Sequence, residues 1–235
     1  FYNNKKATYI LESVQNFYDI KDHFKDTDYV FHLAAESRIQ PCVKNPIMAY
    51  MANAMGTCSV LQACKEAGVK RLVYSSTSAS YGLENKPPLK EDMVPDCLNP
   101  YSTSKVAGEE LCKMFYRLYG VETVILRYFN AAGYDETERI TSCENNPANL
   151  IPAIMEVASG NRDKIDIFGN NYDTPDGTGI RDYIHVSDLA KAHVKSLELI
   201  QANQSEIINL GSEKQYSVME VVLLTEKITG KNISH

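Results

Sequence analysis

The chain has 235 residues, 44% of them hydrophobic and 23% charged, with a formal net charge of −6. That make-up is ordinary for a globular protein, and the length allows one large domain or two small ones. Its 24 Lys and Arg residues form no dense block, which argues against a nucleic-acid or anionic-membrane surface. The cysteines Cys42, Cys58, Cys64, Cys97, Cys112 and Cys143 are scattered without Cys-x-x-Cys spacing. They read as reduced thiols of a cytosolic protein, and the absence of a Cys/His cluster at zinc spacing leaves no metal to expect. No apolar run approaches transmembrane length, and no basic-then-apolar signal segment is present. The sequence opens at Phe1 and closes on Gly-Lys-Asn-Ile-Ser-His directly after a helical pattern, which is expected of a piece of a longer protein.

Short apolar, β-branched runs alternate with helix-period segments along the chain. A buried strand is expected over 29–35, a helix over 46–67 and a second strand over 71–76. A helix opening at Pro100 runs to about Tyr119, and 121–128 (VETVILRY) is the next strand. This alternation predicts a parallel sheet covered by helices on both faces. After Asn130 the pattern loosens into a Gly/Asn/Asp/Pro-rich region. There a helix is expected around 149–159, short strands at 164–168, 181–186 and 207–210, and a helix over 187–200. A second, smaller lobe follows, with the late elements 181–200 returning to the first sheet.

The stretch Asn-Pro-Tyr-Ser-Thr-Ser-Lys (99–105) sets Tyr101 four residues before Lys105. Spacing alone says little, because Tyr2 and Lys6 repeat it. Context says more. Asn99 suits an N-cap and Pro100 the first helical position, so Tyr101 and Lys105 fall on one helical face. A tyrosine working as a base near neutrality needs roughly 4 kcal/mol of preferential phenolate stabilisation, which a neighbouring ammonium in a dry cleft can partly supply. Ligands of parallel sheets sit at the carboxyl ends of strands, and one strand ends in Ser75-Ser76-Thr77.

Ser/Thr at a strand end, Tyr-x-x-x-Lys and the upstream His-Leu-Ala-Ala (32–35) together resemble the extended short-chain dehydrogenase/reductases. Four later blocks narrow the resemblance to the UDP-glucose 4-epimerase family: RYFNAAG (127–133), NLIP (149–152), IFGNNY (167–172) and DGTGIRDYIHV (176–186). The resemblance implies an α/β, Rossmann-like doubly wound parallel sheet with a smaller mixed α/β substrate lobe. The partial NAD-binding domain would be 1–130 and the partial UDP-sugar-binding lobe 131–235. It further implies NAD-dependent C4 epimerisation of a UDP-hexose, glucose/galactose or the N-acetyl forms, through a transient 4-keto intermediate, in a cytoplasmic homodimer.

Carried over residue by residue, the resemblance makes Tyr101 the acid/base, Lys105 its tuner and a ribose ligand, and Thr77 the hydroxyl partner. Leu33, Ala34, Ala35, Asn53, Ser75 and Phe129 match cofactor contacts, and Ser13 with Val14 flank the adenine. Asn130, Asn149, Leu150, Asp166, Phe168 and Arg181 match positions around the UDP-sugar, the Arg181 fork suiting a diphosphate. His32 and His185 read as structural.

The sequence also departs from the family pattern. Ser13 stands where an Asp is common, and Ser37 where the best-known members have a lysine. The family's glycine-rich pyrophosphate loop, the acidic residue ending its second strand and its last segment are absent. The expectation is that this chain alone binds NAD poorly and is inactive, which makes a non-catalytic UDP-sugar-binding fragment the rival of another class. Among enzymes the rivals are a nucleotide-sugar 4,6-dehydratase and a UDP-glucuronate decarboxylase. Thr77-Ser78-Ala79-Ser80 lacks the carboxylate that both usually carry there.

Overall fold

The computed structural model describes residues 5–140, 147–201 and 205–235, the side chains of Ile200 and Gln201 excepted; Tyr2 and Cys143 lie outside the described residues. In chain order the elements are α1 (Phe17–Ile20), β1 (Tyr29–His32), α2 (Ile39–Lys44), α3 (Pro46–Tyr50), α4 (Gly56–Ala67), β2 (Arg71–Thr77), α5 (Pro100–Tyr119) and β3 (Glu122–Tyr128). They continue with β4 (Asn130–Ala132), α6 (Leu150–Ser159), β5 (Ile180–His185), α7 (Val186–Gln201), β6 (Glu206–Leu210), β7 (Gln215–Ser217) and α8 (Val218–Thr229). Two compact units result, one of 1–129 with 189–210 and one of 130–188 with 211–235.

The first unit is built on a parallel sheet of order β1-β2-β3-β6. Its β2 is buried along nearly its whole length, as a strand covered on both faces must be. Side chains alternate across it. Leu72 and Tyr74 pack with Val60, Leu61, Cys64, Cys112 and Phe115 from α4 and α5. Val73 joins Val124 and Leu126 on the opposite face, against Leu197 of α7. The expected helix over 46–67 is three segments: α3, a π-helical turn at Met51–Met55, and α4. Single π-turns inside helices frequently mark functional sites.

Two close approaches set the packing of this unit. A Cβ on Gly108 of α5 would lie 2.2 Å from the Tyr74 hydroxyl, so only glycine lets that helix rest on β2. A Cβ on Gly56 would lie 3.2 Å from Val14 Cγ2.

The second unit carries a mixed sheet in which β5 runs parallel to β4 and antiparallel to β7. Its core joins Ala153 and Ile154 of α6 to Val221 and Val222 of α8, with Ile165 and Ile233. The strand expected over 164–168 does not form. Ile165 is buried and its N–H donates to the Ser234 carbonyl at 3.0 Å, but no ladder follows. Alternating apolar residues there secure burial without a partner strand.

Candidate active site

Three hydroxyl side chains end β2: Ser75, Ser76 and Thr77, each less than a tenth exposed. Thr77 Oγ1 accepts from the Ala79 N–H at 3.1 Å, capping the 3₁₀ turn Ser78–Tyr81. With its acceptor side so engaged, the Thr77 hydroxyl proton can point elsewhere, and the Thr77 side chain acts to lower the proton affinity of Tyr101.

Tyr101 is placed by its helix start. Asn99 caps α5 with a reciprocal Ser102 bond, and Pro100 fills a first-turn position whose N–H has no helical acceptor. Burial pushes the Tyr101 phenol above its ordinary value, while Thr77 works to lower it and the Cys42 thiol adds to the rise. One turn on, Lys105 is 3% exposed with its ammonium 4.3 Å from the centroid of the Tyr74 ring. Burial drives Lys105 down to about 8, with Cys112 and Glu109 acting against it. The sequence argument had the ammonium pulling Tyr101 down. In the fold Thr77 works in that direction, and the Lys105 Nζ rests on the Tyr74 face.

The other candidates of the first unit lie near the start of the chain, after β1, in the π-helical turn and after β3. Leu33, Ala34 and Ala35 follow β1 as an exposed apolar ledge. Asn53 sits in the π-helical turn with no exposed surface. Its Oδ1 accepts from the Glu36 N–H at 2.8 Å, and its Nδ2 donates to the Glu36 carbonyl at 3.0 Å and to Ser104 Oγ at 2.9 Å. Asn53 therefore orients the loop beyond the ledge and joins it to α5. Phe129 is half-buried, with its N–H bonded to the Leu210 carbonyl. Ser13 is exposed, its hydroxyl accepting from the Gln15 N–H and its carbonyl from the Asn16 N–H, while Val14 packs onto the first-unit core. His32, buried against Tyr74 and bonded to Thr57, is held neutral by burial and by the Lys105 charge, down to about 3.

Ser75 belongs to a chain not foreseen from sequence. Tyr128 Oη lies 2.5 Å from both Ser75 Oγ and His193 Nε2. The Leu189 carbonyl accepts from His193 Nδ1 at 2.8 Å, which leaves Nε2 facing the tyrosine. A second unforeseen cluster is ionic. Arg127 Nε and Nη2 grip the Glu109 carboxylate at 3.0 and 2.7 Å, and Ser76 Oγ donates to the same group. Arg127 Nη1 reaches Tyr81 Oη at 3.0 Å, and Tyr81 donates to Asn209 Oδ1 at 2.6 Å. A signal for it stood in the sequence: an arginine inside the buried run VILRY must be paired.

The remaining candidates lie in the second unit. Asn130 Nδ2 donates to the Asp182 carbonyl at 2.8 Å, and Leu150 packs on the α6–α8 core. Asn149 is exposed at the N-cap of α6 without a side-chain cap bond. Asp166 faces Lys164 at 3.5 Å, and Phe168 is 86% exposed. Arg181 is exposed, its Nη1 donating to the Ile180 carbonyl at 2.8 Å. The Asp182 carboxylate instead accepts from the Ser212 and Glu213 N–H groups, at 2.8 and 3.0 Å.

Comparison with known proteins follows the same lines. A family model described as the NAD dependent epimerase/dehydratase family matches residues 8–211. UDP-glucose 4-epimerase from Streptococcus mutans is 41% identical over 209 residues, which is 88% of this chain and 63% of that protein. The chain thus spans less than two thirds of that relative's length. Among solved structures, UDP-glucose 4-epimerase from Brucella ovis in complex with NAD superposes at a TM-score of 0.92 with 32% identity, over 97% of this chain and 71% of that one. UDP-glucose 4-epimerase from Bifidobacterium longum in complex with NAD+ and UDP superposes at 0.88 with 35% identity, over 95% and 68%.

Proposed function

The chain belongs to the NAD dependent epimerase/dehydratase family, and from that membership and the site geometry we propose that its protein interconverts a UDP-hexose and its C4 epimer. The observation that carries the reading is a capped helix start that sets Tyr101 one turn before the buried Lys105, with the buried Thr77 hydroxyl at the end of β2 acting on Tyr101. Tyr101 takes the proton of the sugar 4-hydroxyl and later returns it. Thr77 donates to the same oxygen and steadies the charge that develops there. Lys105 supplies buried positive charge and three donors for hydroxyls of a bound nucleotide.

The residues present suit a dinucleotide. The exposed apolar ledge 33–35 offers it a surface, and the Lys105 ammonium, with no carboxylate within 4 Å among the described residues, is a donor set for polar acceptors. Bound NAD would accept hydride from C4 and give it back, leaving no net oxidation.

In the second unit, Asn130, Asn149, Leu150, Asp166, Phe168 and Arg181 would contact the UDP-sugar, with the Arg181 guanidinium on the diphosphate. Elimination of water is disfavoured because Ser78, Ala79 and Ser80 offer no carboxylate beside Thr77. Exposed Ile47, Tyr50, Met51 and Met55 along α3 and the π-helical turn form an apolar patch suited to a second copy of the chain. No helix of the described residues is long and apolar enough to cross a membrane, and cytoplasmic placement is part of the proposal.

The test is conversion of UDP-galactose to UDP-glucose by the protein with added NAD. Turnover without accumulation of a free keto sugar supports the reading; loss of water or carbon dioxide from the sugar nucleotide overturns it.

A further inference from the structure

The strongest unexplained feature of the first unit is its buried ion pair. Glu109 and Arg127 are 0% and 1% exposed, so both charges have left water. Replacing such a pair by apolar side chains of similar volume is often neutral or stabilising, so holding elements together does not by itself account for it. Its position does. Glu109 lies four residues beyond Lys105 and eight beyond Tyr101, on the face of α5 that meets the sheet. Ser76, which donates to Glu109, immediately precedes Thr77, and Arg127 stands beside Ser76 in the β2–β3 ladder.

We propose that Glu109 is a positioning residue for the acid/base pair. Gripped by Arg127 and Ser76, it fixes α5 against the ends of β2 and β3 so that Thr77 meets Tyr101. It also places one buried negative charge a turn beyond the Lys105 ammonium. This rests on the acid/base reading of Tyr101 and Lys105 given above.

The groups around Lys105 leave that charge to Glu109. His32 on β1 is neutral, its proton affinity reduced by burial and by Lys105 itself. Tyr74 on β2 is pushed well up by burial and stays a phenol. On α5, burial holds Cys112 as a thiol and works against ionisation of Tyr101. Arg127 on β3 is positive but is consumed in its fork with Glu109. Glu109 is therefore the anion among these groups, and it helps Lys105 keep its proton against burial.

The experiment reads Lys105 directly, by carbon NMR titration of 13C-lysine-labelled protein, the signal being assigned by its loss in Lys105→Met. In Glu109→Gln the Lys105 midpoint should fall, with proton affinity reduced at least threefold. The double variant Glu109→Gln/Arg127→Gln leaves no unpaired buried charge, and it should shift the midpoint the same way while circular dichroism confirms the fold. In turnover assays both variants should lose at least tenfold in kcat at pH 7 with KM changed less than threefold. A folded variant whose Lys105 midpoint stays within twofold of wild type overturns the proposal. Because the titration needs no turnover, a full-length protein that fails to epimerise with added NAD would refute the functional reading while a shifted midpoint still upheld the clamp.

Discussion

The candidate residues of the two units differ in how finished they are. In the first unit Thr77 and Lys105 are buried, and Thr77, Asn53 and Ser75 already have hydrogen-bond partners. In the second, Asn149, Asp166, Phe168 and Arg181 stand exposed, and the Arg181 guanidinium bonds its own neighbouring carbonyl. The difference is physical. A base and its hydroxyl partner gain from being held in one geometry before substrate arrives. Groups that grip a flexible diphosphate can be ordered by the ligand, at an entropic cost paid on binding. The first unit should thus govern kcat and the second KM.

Substitutions can break that division. Thr77→Val removes the hydroxyl assigned to the sugar 4-oxygen and should lower kcat by about 10²-fold with little change in KM. A comparable drop in KM-limited binding instead would move Thr77 into the binding class.

Lys105→Met should sharpen the contrast between function and stability. Lys105 titrates near 8 in the fold, below its ordinary 10.5. The unfolded chain therefore binds more protons between these values, and stability rises as pH climbs through that window. Below it the buried charge is a burden worth at most about 3 kcal/mol, at about 1.4 kcal/mol per pH unit. Urea melts at pH 7 should find Lys105→Met more stable than wild type while turnover is lost. They should also find the wild type's gain between pH 7 and pH 10 reduced in the variant.

Gly108→Ala pushes a methyl group to 2.2 Å from the Tyr74 hydroxyl, which is itself tied to the Lys105 carbonyl. Thermal melts should show a loss of roughly 1–3 kcal/mol. The smallest expected effect is Phe168→Ala, within about 0.5 kcal/mol in stability because the ring is already in solvent. Any consequence there should appear in KM for the sugar nucleotide.

Much of the first unit was legible in the sequence because local signals agreed. The Asn99-Pro100 start, the 3.6 period through α5 and the β-branched run into Thr77 all pointed one way. The Asn53 clamp on Glu36 was not legible, since it joins residues 17 apart through a π-helical turn that no local pattern announces. Nor was the Tyr128–His193 contact, which spans 65 positions. The place of the Lys105 ammonium was not legible for a related reason. Spacing puts Lys105 on the same face as Tyr101, but it does not say that Nζ will prefer the Tyr74 ring. In the second unit the apolar alternation at 164–168 promised a strand, and only the missing partner decided otherwise.

The most direct test compares Tyr101→Phe with Arg181→Ala in one set of steady-state assays on UDP-galactose with saturating NAD. Tyr101→Phe should lose kcat by on the order of 10³-fold at nearly unchanged KM. Arg181→Ala should raise KM at least tenfold while kcat stays within a few-fold. A Tyr101→Phe protein that keeps more than a tenth of wild-type kcat would contradict the account.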